Sequence, residues 1–151
     1  MIRIVIADDH ELMREGLKAL LVATPDIKVV GEASDGLEAV DLVLRTSPDV
    51  VLMDAAMPTV SGIQAAEQIS SLQNNAKVLF ISGYSDPALL RQALQSGARG
   101  YVVKSSNPHE LSLAIRAVSR GEFYFSPEVF SLLSEEMLHR SMHSAEEARV
   151  G

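Results

Sequence analysis

Five short apolar runs recur along the chain at Ile2–Ala7, Ile27–Glu32, Asp49–Met53, Lys77–Ser82 and Gly100–Val103. They are rich in Val and Ile, and most are too continuous in apolarity to leave one face in water. That pattern predicts strands of a parallel sheet covered on both faces. Between them, apolar residues return at helical spacing. Leu12, Leu17, Leu20 and Leu21 form one stripe; Leu37, Val40, Val43 and Leu44 form a second; Ile63, Ala66, Ile69 and Leu72 a third. Leu89, Leu90, Ala93 and Leu94 follow, then Leu111, Ala114, Ile115 and Val118. Gly31, Gly36, Gly97 and Gly121 punctuate the elements, and Asp86-Pro87 and Asn107-Pro108 read as helix starts with proline in the first turn.

The alternation predicts a (βα)5 α/β domain over residues 1–121. Right-handed crossovers place helices on both faces of a doubly wound parallel sheet. The flavodoxin-like strand order 2-1-3-4-5 is the common solution for five such units. Beyond Gly121, the segment Phe123-Tyr124-Phe125-Ser126-Pro127-Glu128-Val129 predicts an extra C-terminal helix, capped by Ser126 and opened by Pro127. Val129, Phe130, Leu132, Leu133 and Met137 give it an apolar side, so residues 122–139 read as a helix or linker start. From Arg140 the pattern fades into His, Ser, Glu and Arg, and residues 140–151 read as a flexible tail.

Composition narrows the class. The chain has no cysteine, which excludes a disulfide framework, a thiolate metal site and a cysteine nucleophile. Twenty acidic residues against 13 basic ones give a net charge of −7, a poor general field for holding DNA. No signal peptide or membrane span is legible, so the expected setting is cytoplasmic, without membrane contact.

Candidate chemistry follows from the topology, because ligands of doubly wound sheets bind beyond the strand C-termini near the switch point. Strand 1 ends in Asp8-Asp9, strand 3 in Asp54, strand 4 in Ser82 and strand 5 in Lys104. Taken singly, these residues have plain structural readings. Asp8 or Asp9 would cap a helix, Asp54 and Ser82 would serve turns, Lys104 would make a surface ion pair, and Tyr101 would be core. Together they put three carboxylates, a hydroxyl and an ammonium at one edge.

Two carboxylates about 4 Å apart repel by roughly 4 kcal/mol at an effective dielectric near 20. A hard divalent cation relieves that repulsion, and oxygen ligands with water suit Mg²⁺. A phosphoryl group would then meet the cation, the Lys104 charge and the Ser82 hydroxyl, while a free carboxylate is a competent nucleophile.

Asp8-Asp9, Asp54 with Met57-Pro58 and Gly62, Ser82, and Tyr101 to Lys104 together resemble the signature of response regulator receiver domains. The stretches Ser105 to Leu111, Ala114 to Val118 and Phe125 to Val129 are similar to the NarL/FixJ subfamily, with its LuxR-type output domain. The resemblance implies a phosphorylation-activated switch of a two-component system. Asp54 would accept a phosphoryl group from a sensor histidine kinase. Asp9, Asp54 and the main-chain carbonyl of Ala56 would ligate Mg²⁺ directly, with Asp8 acting largely through water. Lys104 would pair with the phosphoryl group, and Ser82 would move toward it as the Tyr101 ring turns inward. That movement would reshape the face of helix 4, strand 5 and helix 5 and relay the signal to transcription, through a homodimer or a released output domain. Chemistry on the domain would be limited to its own phosphotransfer and dephosphorylation, so it is a regulatory domain and not an enzyme acting on other substrates.

Two departures from the family pattern stand out. Ala55-Ala56 replaces larger residues after Asp54, which implies an acyl phosphate poorly shielded from water. No helix-turn-helix domain follows the linker, so the sequence reads as a truncated chain or a natural stand-alone receiver, and DNA would be reached only through an output domain absent from it. Rival readings differ in chemistry. A flavin carrier needs anion-binding donors after strand 1, where Asp8-Asp9-His10-Glu11 supplies negative charge. An aspartate phosphatase places spaced aspartates after its first strand, where these are adjacent. A receiver acting as a protein-binding module without phosphorylation is the remaining alternative.

Overall fold

The computed structural model describes residues 1–55, 57, 61–72, 74–83, 87–104, 107–132 and 134–135. Strands β1 (Ile2–Ala7), β2 (Ile27–Ala33), β3 (Val50–Asp54), β4 (Lys77–Ser82) and β5 (Gly100–Val103) alternate with helices. These are α1 (Glu11–Val22), α2 (Gly36–Thr46), α3 (Gly62–Ser71), α4 (Pro87–Gln95) and α5 (Pro108–Ser119). A two-residue strand, β6 (Tyr124–Phe125), completes a wholly parallel sheet of order β2-β1-β3-β4-β5-β6. The flavodoxin-like (βα)5 order is therefore present, extended by one strand at the β5 edge.

Alternation along the strands sorts the core into two halves. Val5, Val51, Met53, Val78, Phe80 and Tyr101 face α2, α3 and α4. Ile4, Ile6, Val50, Leu52, Leu79 and Val102 face α1 and α5. Each such side chain contributes about 1.5–3 kcal/mol by leaving water. Burial on both faces explains why the central runs carry almost no polar residues.

The helix phases differ in detail from the simple stripes. In α1, Leu17 and Leu21 are buried while Leu12 is 88% exposed. In α2, the buried face is Ala39, Leu42 and Val43, and Leu37 and Leu44 lie outside. A small alanine lets α2 approach the sheet closely, which a count of large apolar residues overlooks. Gly31 does not break the chain; it lies inside β2, where a Cβ would come within 3.1 Å of Leu42.

The ends of α3 and α5 follow their sequences. Ser61 accepts from the Gln64 N–H while the Gln64 side chain accepts from the Ser61 N–H, a reciprocal capping box. Asn107 caps α5, accepting from the His109 N–H at 2.7 Å. After α5, Gly121 has a positive φ of 85°, and the chain turns back into β6.

Residues 127–132 and 134–135 are helical, so the extra C-terminal helix is present. Its start differs from expectation. The Ser126 carbonyl accepts the Phe130 N–H at 2.9 Å, but the Ser126 hydroxyl is buried without a hydrogen-bond partner and caps nothing. The predicted tail at 140–151 lies outside the described residues. Among the described residues, no helix is long and apolar enough to cross a membrane.

Candidate functional site

The C-termini of β1 and β3 lie side by side, with Ala7 opposite Met53. The carboxylates that follow them must therefore meet. Asp8 is fully buried, and its backbone N–H is held by the Ala33 carbonyl at 3.0 Å. Its Oδ1 accepts from the His10 N–H at 2.9 Å. Asp54 ends β3 and is 4% exposed, whereas Asp9 remains partly open to solvent.

Lys104 follows β5 directly and is anchored at its backbone, where its N–H donates to the Ser82 carbonyl. Its Nζ stands 3.1 Å from Asp8 Oδ2 and 3.2 Å from Asp54 Oδ2. Burial by itself would lower the pKa of this ammonium. The charges of Asp54 and Asp8, with the hydrogen bonds they accept, outweigh burial and raise it above the ordinary 10.5. Lys104 therefore stays charged throughout the physiological range.

One ligand atom from each of Asp8, Asp9, His10 and Asp54 lies within 4.8 Å of the others. Sequence reasoning left His10 out of this set. Its Nδ1 lies 3.2 Å from an oxygen of both Asp8 and Asp9. Its position one residue after two aspartates was the available signal. Oxygen donors from three carboxylates fit a hard divalent cation, and one ammonium cannot balance three negative charges. Ala56 lies outside the described residues.

Ser82 ends β4, 3% exposed, at the level of Val103 on β5. Tyr101 lies on β5 with its ring 1% exposed and tilted 44° to Phe80 at a centroid distance of 6.1 Å. The tyrosine ring is thus already within the core.

Gly62 explains how the start of α3 fits against the end of β3. A Cβ at this first residue of α3 would lie 2.0 Å from the Asp54 carbonyl oxygen. Only glycine allows α3 to start against the backbone of the central aspartate.

A doubly wound sheet carrying buried carboxylates and a lysine at its C-terminal edge defines a domain of the receiver class. The family model of the response regulator receiver domain matches residues 4–116, and the chain belongs to that family. It is 42% identical over 148 residues to the transcriptional regulatory protein LiaR of Bacillus subtilis, covering 98% of this chain and 68% of LiaR. The solved receiver domain of the response regulator NarL from Mycobacterium tuberculosis is 40% identical with a TM-score of 0.77, covering 80% of this chain and 98% of that one. A LuxR-family two-component response regulator from Aurantimonas sp. SI85-9A1 is 38% identical with a TM-score of 0.85, covering 90% and 97% of the two chains. The chain is therefore a regulatory domain of the kind carried by LuxR-type response regulators.

Proposed function

We propose that this domain is a phosphorylation-activated switch, with Asp54 as phosphoacceptor and a sensor histidine kinase as donor. The observation that carries the reading is the convergence of Asp8, Asp9 and Asp54 with the Lys104 ammonium between two of them. An Asp54 carboxylate oxygen bonds to phosphorus as the P–N bond of the donor phosphohistidine breaks, and the departing imidazole nitrogen takes a proton from solvent. Asp8, Asp9 and Asp54, with the Ala56 carbonyl that the family resemblance adds, would hold Mg²⁺. When bound, the cation neutralises charge on the transferring phosphoryl oxygens.

Lys104 already faces Asp54 and pairs with the phosphoryl group once it is in place. The Ser82 hydroxyl is drawn toward the new anion, and the inward Tyr101 ring fills the space beside it. Phosphorylation adds about −1.5 to −2 charges, and only contacts that are better in the active arrangement shift the population. The domain then acts through the α4–β5–α5 face, by homodimerisation or by release of an output domain that contacts DNA. Residues 1–121 form the receiver unit in this reading, and 122–139 begin the connection to such an output. The setting is the cytoplasm.

The test is intact mass after incubation with acetyl phosphate and a magnesium salt. One added phosphoryl group on the wild type and none on Asp54→Asn is the expected outcome. No gain from acetyl phosphate or from a phosphorylated histidine kinase would overturn the proposal in favour of an unmodified binding module.

A further inference from the structure

The segment after α5 is built into the domain at the strand that carries Tyr101. Tyr124 N–H donates to the Arg99 carbonyl at 3.0 Å, and Ser126 N–H donates to the Tyr101 carbonyl at 3.1 Å. Phe125 is in register with Tyr101, so both side chains leave the sheet on the same face. Val129 is fully buried in the same core half as Tyr101, with Phe125 and Leu132 packed against it. Gly100 makes this docking possible, since a Cβ there would lie 2.6 Å from the Tyr124 carbonyl. The Tyr124 hydroxyl also donates to Glu110 of α5. The opposite side of the segment is open, with Phe123 62% and Phe130 63% exposed.

The groove at the far edge of the sheet, between Ser70, Lys77 and Arg99, is lined by cations that are already engaged. Lys77 already donates to the Asn75 carbonyl and Arg99 to that of Gly121.

We infer that residues 122–132 form a latch that regulates the phosphorylation site by holding the Tyr101 ring inside the core. While the latch is docked, Phe125 and Val129 share the core half that holds the ring, and in this proposal they fill the space an outward ring would enter. Docked latch and inward Tyr101 are then one state, and undocked latch and mobile Tyr101 the other. The link to the acidic site rests on the phosphoryl-switch reading above, in which the inward ring accompanies phosphorylation. By linkage, phosphorylation tightens the latch and the docked latch favours phosphorylation, by the same factor.

Two substitutions outside the acidic site move the latch in opposite directions. Val129→Asp buries a charge and opens it. Ser126→Ala removes a buried hydroxyl that has no partner and closes it further, by about tenfold in the docking equilibrium. The measurements use the whole chain: amide exchange at Tyr124 and Ser126, nitration of Tyr101 mapped by peptide, circular dichroism for folding, and intact mass with acetyl phosphate and magnesium. In Val129→Asp we expect fast exchange, a nitratable Tyr101 and severalfold slower phosphorylation. Ser126→Ala shows slower exchange and faster phosphorylation, and the phosphorylated wild type shows slower exchange at both amides.

A folded Val129→Asp chain with Tyr101 still protected, or a phosphorylated wild type with unchanged exchange, overturns the inference. Should Val129→Asp not fold, unchanged exchange in Ser126→Ala overturns it. If acetyl phosphate adds no mass, the phosphoryl reading fails, while exchange and nitration in the two variants still decide whether the latch holds Tyr101.

Discussion

The Lys104 ammonium stands 3.2 Å from the Asp54 carboxylate across 50 residues of sequence. It is 15% exposed, and it touches Asp8 as well as Asp54. A buried ion pair adds little stability relative to an apolar pair, because both charges lose their hydration. Leaving its partners unpaired is expensive. In the switch proposed above, this charge is held ready for the incoming phosphoryl group.

Lys104→Met tests that balance. Without divalent cations, two buried carboxylates lose their counter-charge, and we expect a loss of about 3–5 kcal/mol in urea denaturation. Adding magnesium should recover part of it. Equal losses with and without the ion would show that no cation shares the site.

Divalent cations should stabilise the wild type by an amount that grows as the logarithm of concentration. At one hundred times Kd the gain is about 2.7 kcal/mol. Asp9→Asn removes one proposed ligand without disturbing the Lys104 contacts, and should shift the Mg²⁺ titration of Tm to markedly higher concentration. A superimposable titration would remove Asp9 from the metal site.

Gly62→Ala should be severe for so small a change. Its methyl group would lie 2.0 Å from the Asp54 carbonyl oxygen, and backbone atoms cannot swing aside as a flexible side chain can. We expect about 1–3 kcal/mol of destabilisation and slower phosphorylation, because α3 and Asp54 must move apart. Unchanged stability and phosphorylation rate would show that α3 can shift away from Asp54 at no cost.

A bidentate pair joins the turn before β2 to α5: Arg116 Nε and Nη2 donate to Asp26 at 2.8 and 3.0 Å. The Arg116 hydrogen bond, partly opposed by desolvation, holds the Asp26 carboxyl below its ordinary 3.8. A depressed carboxylate contributes stability above its unfolded pKa and loses it as pH falls through the folded one. Asp26→Asn should therefore flatten the acid limb of stability below about pH 4 while shifting the neutral plateau only slightly. An acid limb identical to that of the wild type would show that the pair is not coupled to folding.

The strand set was readable because burial on both faces leaves little room for polar residues. Ile2–Ala7, Lys77–Ser82 and Gly100–Val103 begin and end as the apolar runs do. β6 was not readable. Two residues carry no periodicity, and Phe123-Tyr124-Phe125 looks the same as a strand or as an apolar turn. The α2 stripe was misphased because Ala39, not the larger Leu37, faces the sheet. Ser126 resembled a cap from its type alone, while in the fold it is fully buried with its N–H on the Tyr101 carbonyl.

The sequence by itself determined the α/β alternation and the identity of the residues at each strand end, because those are properties of local order. It also determined that Asp8, Asp9, Asp54, Ser82 and Lys104 would share an edge once the strands ran parallel. Tertiary structure decided what local order cannot express. It chose which carboxylates Lys104 touches and seated the C-terminal segment against Tyr101. Each of these depends on distances between residues far apart in the chain, which packing sets to within an ångström and periodicity does not encode.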